Sequence, residues 1–115
     1  MNAKRIVEKY HRAISENDFD TLRSLLADNL DFKGPIATHH EPEGLIADLK
    51  GLAQIVLGMD VRKIFVDGQD VCVIYDLKTK VALSSVSEWF HVEGDKINFI
   101  RVYFDARPFA ALFGK

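Results

Sequence analysis

The chain is poor in what would mark most specialised protein classes. Its 115 residues hold one cysteine, Cys72, so no internal disulfide can form. That residue sits in the apolar run "DVCVIYD", where it reads as a small buried hydrophobe and points to a reducing, cytoplasmic compartment. No apolar run is long enough to span a bilayer. The 15 basic residues are scattered and the net charge is −2, which gives neither a nucleic-acid stripe nor a polybasic membrane patch. Low-complexity tracts and repeats are also lacking. Residues 1–14, "MNAKRIVEKYHRAI", are amphipathic rather than leader-like.

What is present is ordinary globular material, 48% hydrophobic and 28% charged, enough for one domain over 1–115. Ala3, Ile6, Val7, Tyr10, Ala13 and Ile14 recur at helical spacing, predicting a helix over about residues 3–16. Asp18 or Asp20 can cap a second helix with Phe19, Leu22, Leu25 and Leu26 inward. "LDFKGPI" reads as a short strand, "ATHHE" as a loop, and Pro42 as the first turn of a third helix. That helix would bury Leu45, Ile46, Leu49, Leu52, Ala53 and Val56 and end at Gly58.

Beyond it the period falls to two. "VRKIFVDGQDVCVIYDL" predicts two strands joined at Asp67-Gly68, and "VALSSVSEWFHV", "EGD" and "KINFIRVYFD" predict a second hairpin. The tail "ARPFAALFGK" carries Phe109, Leu112 and Phe113 at near-helical spacing. Three helices before an antiparallel meander predict an α+β fold, with the helices on one face of a curved sheet whose mouth forms a pocket.

One acid stands out. Val86, Glu88, Phe90 and Val92 share a face by alternation, and this stripe is more apolar than the opposite one through Trp89 and His91. If it faces inward, desolvation disfavours the carboxylate form of Glu88, and a neutral buried acid can donate to a developing oxyanion. With the strand turned over, Glu88 would lie in water. Val86 and Phe90 would line the pocket beside it. Asp76 is either a third pocket acid or the start of the turn "DLKT". His39 and His40 flank the third helix and could face a substrate. Adjacent histidines cannot share the i, i+4 geometry of a helical metal site, so no metal is expected. The opposite face of the long strand (Leu83, Ser85, Ser87, Trp89, His91) is too aromatic for a bare surface and suits a homodimer through the sheet.

The stretches "IVEKYHRAISENDFDTLRSLLADNLDF", "EPEGLIADLKGLAQI" and "SEWFHVEGDKINFIRVYFD" resemble the nuclear transport factor 2-like superfamily. This is the cystatin-like α+β cone of SnoaL-like polyketide cyclases, ketosteroid isomerases and limonene epoxide hydrolases. The resemblance implies three N-terminal helices on a curved, mainly antiparallel sheet. It implies a Tyr10 placed like the isomerase tyrosine that donates to the oxyanion, and a Glu88 placed like those families' buried acid. Asp105 resembles the closing aspartate that serves in acid or base roles. By alternation, though, Asp105 lies opposite Ile100, Val102 and Phe104; it reaches the pocket only if a bulge shifts the phase, and otherwise pairs with Arg107 or Arg101. Gly34 stands where the isomerase base would be, and Val86 where the epoxide hydrolase arginine would be. The expected activity is cofactor-free acid–base chemistry (isomerase, cyclase, dehydratase or epoxide hydrolase type) on a small apolar organic ligand. The alternative is a non-catalytic binding or dimerisation module.

Overall fold

A computed structural model describes residues 2–113, with side chains as far as Ala110. The expected contacts of Leu112 and Phe113 lie outside the described residues.

Helix α1 spans Ala3–Ser15 and opens on Asn2, whose side chain accepts from the Arg5 amide. It buries Ala3, Ile6, Val7, Tyr10 and Ala13. Asn17 takes a positive φ of 55°, a conformation asparagine tolerates, and so turns the chain. Asp18 then caps the short α2, Phe19–Ser24, by accepting from Thr21 N. Strand β1 is Leu26–Lys33, so Leu26 starts a strand instead of ending the helix. Strand β2, Thr38–His39, occupies part of the segment read as a loop. Helix α3 spans Pro42–Ala53.

The third helix ends earlier than expected. Val56 already pairs with Thr79, and Lys80 N donates to the Ile55 carbonyl at 2.9 Å. The apolar run from Leu52 to Met59 fits either period, and pairing with the next strand decides it. Strand β3 therefore spans Val56–Asp67 and turns at Gly68, φ 61°, into β4, Asp70–Thr79. Strand β5 spans Leu83–Glu93, and Gly94, also at φ 61°, turns it into β6, Lys96–Tyr103. A 3₁₀ turn covers Arg107–Phe113.

The six strands lie in the order β2-β1-β6-β5-β4-β3. All neighbours are antiparallel except β1 and β6, which are parallel, so the sheet is mixed. Three helices on this sheet make the α+β cone. Its inner face is strictly alternating: Val71, Val73 and Tyr75 from β4, and Val86, Glu88, Phe90 and Val92 from β5, are all buried. With α1 and β1 they form one continuous core.

Candidate functional site

The alternation of β5 leaves Glu88 no choice of side. Its register partners, Val73 on β4 and Val102 on β6, are apolar, and the residue is only 5% exposed. A buried carboxylate needs hydrogen-bond partners to offset lost hydration. Helix α1 supplies one: His11 Nε2 lies 2.9 Å from Glu88 Oε1. With Glu88 as carboxylate, Nε2–H donates and Nδ1 carries the free lone pair. Nδ1 has no hydrogen-bond partner among the described residues, and it is not among their fully enclosed polar atoms.

The imidazole is boxed by aromatic edges. Tyr10, Tyr75 and Phe90 meet it in edge-on contacts with centroids 5.4, 5.6 and 5.5 Å away. Tyr10 also meets Phe90 edge-on at 5.3 Å. Such contacts fix ring orientation and exclude water. Burial, then the charge of Glu88, pushes the Tyr10 phenol well above its usual range. The same two causes, followed by the Tyr10 phenol and hydrogen bonding to Glu88, push Tyr75 well up. Both phenols are therefore neutral donors at physiological pH. Among buried described residues Glu88 is the one acid, and no lysine or arginine accompanies it.

Sequence reasoning singled out Tyr10, Val86, Glu88 and Phe90, and the structure gathers all four on the inner face. It missed His11 and Tyr75. His11 continues the stripe Val7, His11, Ile14 on the core side of α1, and Tyr75 shares the inward phase of Val71 and Val73, so both carried a signal.

Four expected site residues lie elsewhere. Asp105 is exposed and grips Arg107: its carboxylate accepts from the Arg107 amide at 3.0 Å and from the guanidinium at 2.6 Å. No bulge turns it inward, because β6 already ends at Tyr103. Asp76 is on the outer face, where it accepts from Arg62 at 2.8 Å and from Ser85 at 3.3 Å. It follows Tyr75, so the same alternation that buries the tyrosine turns the aspartate out. His39 bonds Asp48 at 2.7 Å and packs on Phe32, tying β2 to α3, while His40 is exposed. Neither contacts the His11–Glu88 pair.

The outer face carries its own polar and aromatic set. Asp70 accepts from Trp89 Nε1 at 2.9 Å and bonds His91 Nδ1 at 3.2 Å. Trp89 meets Phe99 edge-on at 4.7 Å, and Arg101 stacks over Phe99 while bonding Asp31. Asp31, Asp70, Trp89, His91 and Phe99 border an open depression of about 450 Å³. No group of three or more His, Cys, Asp or Glu side chains among the described residues could hold a metal ion, and no helix there is long and apolar enough to cross a membrane.

A helix-capped mixed sheet with an ionisable pair inside it defines an α+β cone of the nuclear transport factor 2-like class. The chain belongs to the SnoaL-like family, whose model matches residues 7–100. No curated protein matches it by sequence. Among solved structures it is similar to a nuclear transport factor 2-like protein of unknown function from Cytophaga hutchinsonii, at 28% identity and TM-score 0.85, covering 95% of each chain. It is also similar to an epoxide hydrolase of the limonene epoxide hydrolase-like type from M. tuberculosis, at 22% identity and TM-score 0.75, covering 98% of this chain and 96% of that one. A third similarity is to a putative polyketide cyclase from Sinorhizobium meliloti, at 18% identity and TM-score 0.78, covering 85% and 93%. The last two, below a quarter identical, speak for the fold alone.

Proposed function

We propose that the protein catalyses acid–base chemistry, of isomerase, cyclase, dehydratase or epoxide hydrolase type, on a small, neutral, largely apolar organic molecule. The observation that carries this reading is the His11–Glu88 bond inside an aromatic box with Nδ1 unused. His11 Nδ1 takes a proton from a substrate C–H or from a water. Glu88 holds the ring orientation and offsets the charge of the imidazolium that forms, as a carboxylate does behind any basic histidine. The proton then returns from Nδ1 to the product. Positioned proton transfer of this kind contributes about 10²–10⁴-fold in rate. Among the described residues no lysine or arginine is buried, which argues against an anionic substrate, whose charge would meet Glu88 uncompensated.

A second reading, a non-catalytic module that pairs with a second copy, draws support from the outer sheet face, where Trp89 is 42%, Phe65 54% and Tyr103 56% exposed. Screening small ketones, epoxides and polyketide-like compounds for thermal stabilisation, then following each binder by mass spectrometry, separates the two. Turnover lost in His11→Asn supports catalysis; binders without product across the panel support the module.

A further inference from the structure

The helical layer stops one strand short of the sheet's edge. Helix α1 packs over β4, β5 and β6, while β3, the edge strand, packs chiefly on β4. Burial on the inner face changes at that line. Val73 and Tyr75 on β4 are 1% and 8% exposed, whereas Val61, the register partner of Tyr75, is 45% exposed. Paired residues share a face, so Met59 with Leu77, Val61 with Tyr75 and Ile64 with Val73 form three inward rows. Met59, Ile64 and Leu77 pack against the core from its margin.

A bulge keeps this floor uncharged. Plain alternation from Val61 would turn Lys63 inward. The register shifts between them, so Lys63 pairs with Ile74 on the outer face and Ile64 takes the inward place. Arg62 also points outward, where it donates to Asp76 at 2.8 Å. From strand spacing and rise, the three rows cover about 10 Å by about 13 Å, or roughly 130 Å². A standard protein interface takes about 800 Å² from each partner, so the floor is far too small for a second copy. It suits a small organic molecule.

We infer that the apolar body of the substrate lies on this floor, with Val61 as a specificity-determining residue, and that its reacting end passes Tyr75 to reach His11. Tyr75 joins the two places: its ring is edge-on to His11 at 5.6 Å, and its strand partner is Val61. The inference rests on the acid–base reading above and gives that substrate a flat, uncharged body.

N-phenyl-1-naphthylamine, a neutral apolar dye that brightens on leaving water, is the probe. In the full chain it is expected to bind, moving the methyl resonances of Met59, Val61, Ile64 and Leu77 and the His11 ring-nitrogen shifts. Val61→Lys is expected to weaken binding about tenfold, the size of a few lost methylene contacts. Phe65→Lys, the same kind of change on the outer face of the same strand, is expected to leave binding unaltered. Both positions are exposed on an edge strand, where lysine is tolerated, so both variants are expected to fold. No binding by wild type, unmoved floor methyls or His11 shifts, or equal losses in the two variants overturn the assignment. Dye on the floor without turnover of any panel compound keeps the floor and rejects the catalytic reading. Turnover by wild type with unchanged kcat/KM in Val61→Lys keeps catalysis and rejects the floor.

Discussion

His11 and Glu88 are 77 positions apart in the chain and 2.9 Å apart in the fold. One comes from the first helix and the other from the fifth strand, so the bond ties the helical layer to the sheet through the core. Both ends are poorly solvated, with side chains 14% and 6% exposed.

Breaking the pair from one side strands the other group in an apolar shell. His11→Leu and Glu88→Leu are each expected to cost about 3–5 kcal/mol, as for other buried pairs deprived of one partner. The double variant is expected to cost clearly less than the sum, since two leucines can pack where two polar groups stood. Urea unfolding of the four proteins closes the cycle, and additive losses would mean that the bond is weak in solution. Glu88→Gln, which keeps size and hydrogen-bonding capacity, is expected to fold and to lose activity.

That pair also marks where sequence reasoning stops. The phase of β5 was legible because period-two alternation is strict when one face is buried, and Glu88 followed from it. The partner was not, because α1 was read by its apolar residues alone and a polar residue on a core stripe declares nothing about what it meets. The α3–β3 boundary failed for a different reason: "LAQIVLGM" suits either period, and only pairing with Thr79 settles it. Asp105 failed through a purely local bond to the residue two positions on.

Asp105 gives a pH prediction with a definite sign. Hydrogen bonds from the Arg107 side chain, then from its amide, lower the Asp105 carboxyl from 3.8 to about 2. A carboxyl depressed by folding adds stability above its unfolded value and loses it as pH falls toward the folded one. Any contribution therefore disappears between about pH 4 and about pH 2. The group is exposed, so the effect is small and screened by salt. Asp105→Asn is expected to flatten the acid limb slightly, leaving neutral-pH stability nearly unchanged and turnover unchanged. Loss of turnover would return Asp105 to the site.

Gly44 in α3 invites a substitution that local rules favour, since alanine is worth up to about 1 kcal/mol over glycine inside a helix. Here an added Cβ would lie 2.4 Å from His39 Nδ1 and 3.0 Å from Glu41 Oε1. His39 would have to leave its bond to Asp48 and its seat on Phe32. Gly44→Ala is expected to destabilise, by about 1–3 kcal/mol, the usual range for overpacking. His39→Ala in the same chain is expected to restore part of the loss and expose the helix gain. Thermal unfolding of the single and double variants decides whether the clash or the propensity wins.

The outer face predicts how the chain associates. Register sets Phe65, Cys72, Trp89 and Arg101 in one row across β3, β4, β5 and β6, and Ile74, Ser87 and Tyr103 in the next. An aromatic-rich belt with an arginine at its end has the composition of an interface centre, where tryptophan, tyrosine and arginine carry most of the binding energy. If two copies pair through this belt, sedimentation should give a dimer for the wild type and a monomer for Trp89→Lys, because a lysine there would bury an unpaired charge. Trp89 lies opposite to Glu88 on β5, so the variant should leave the His11 ring-nitrogen shifts unchanged. A wild-type monomer at high concentration, or a Trp89→Lys dimer of unchanged affinity, would free this face from self-association.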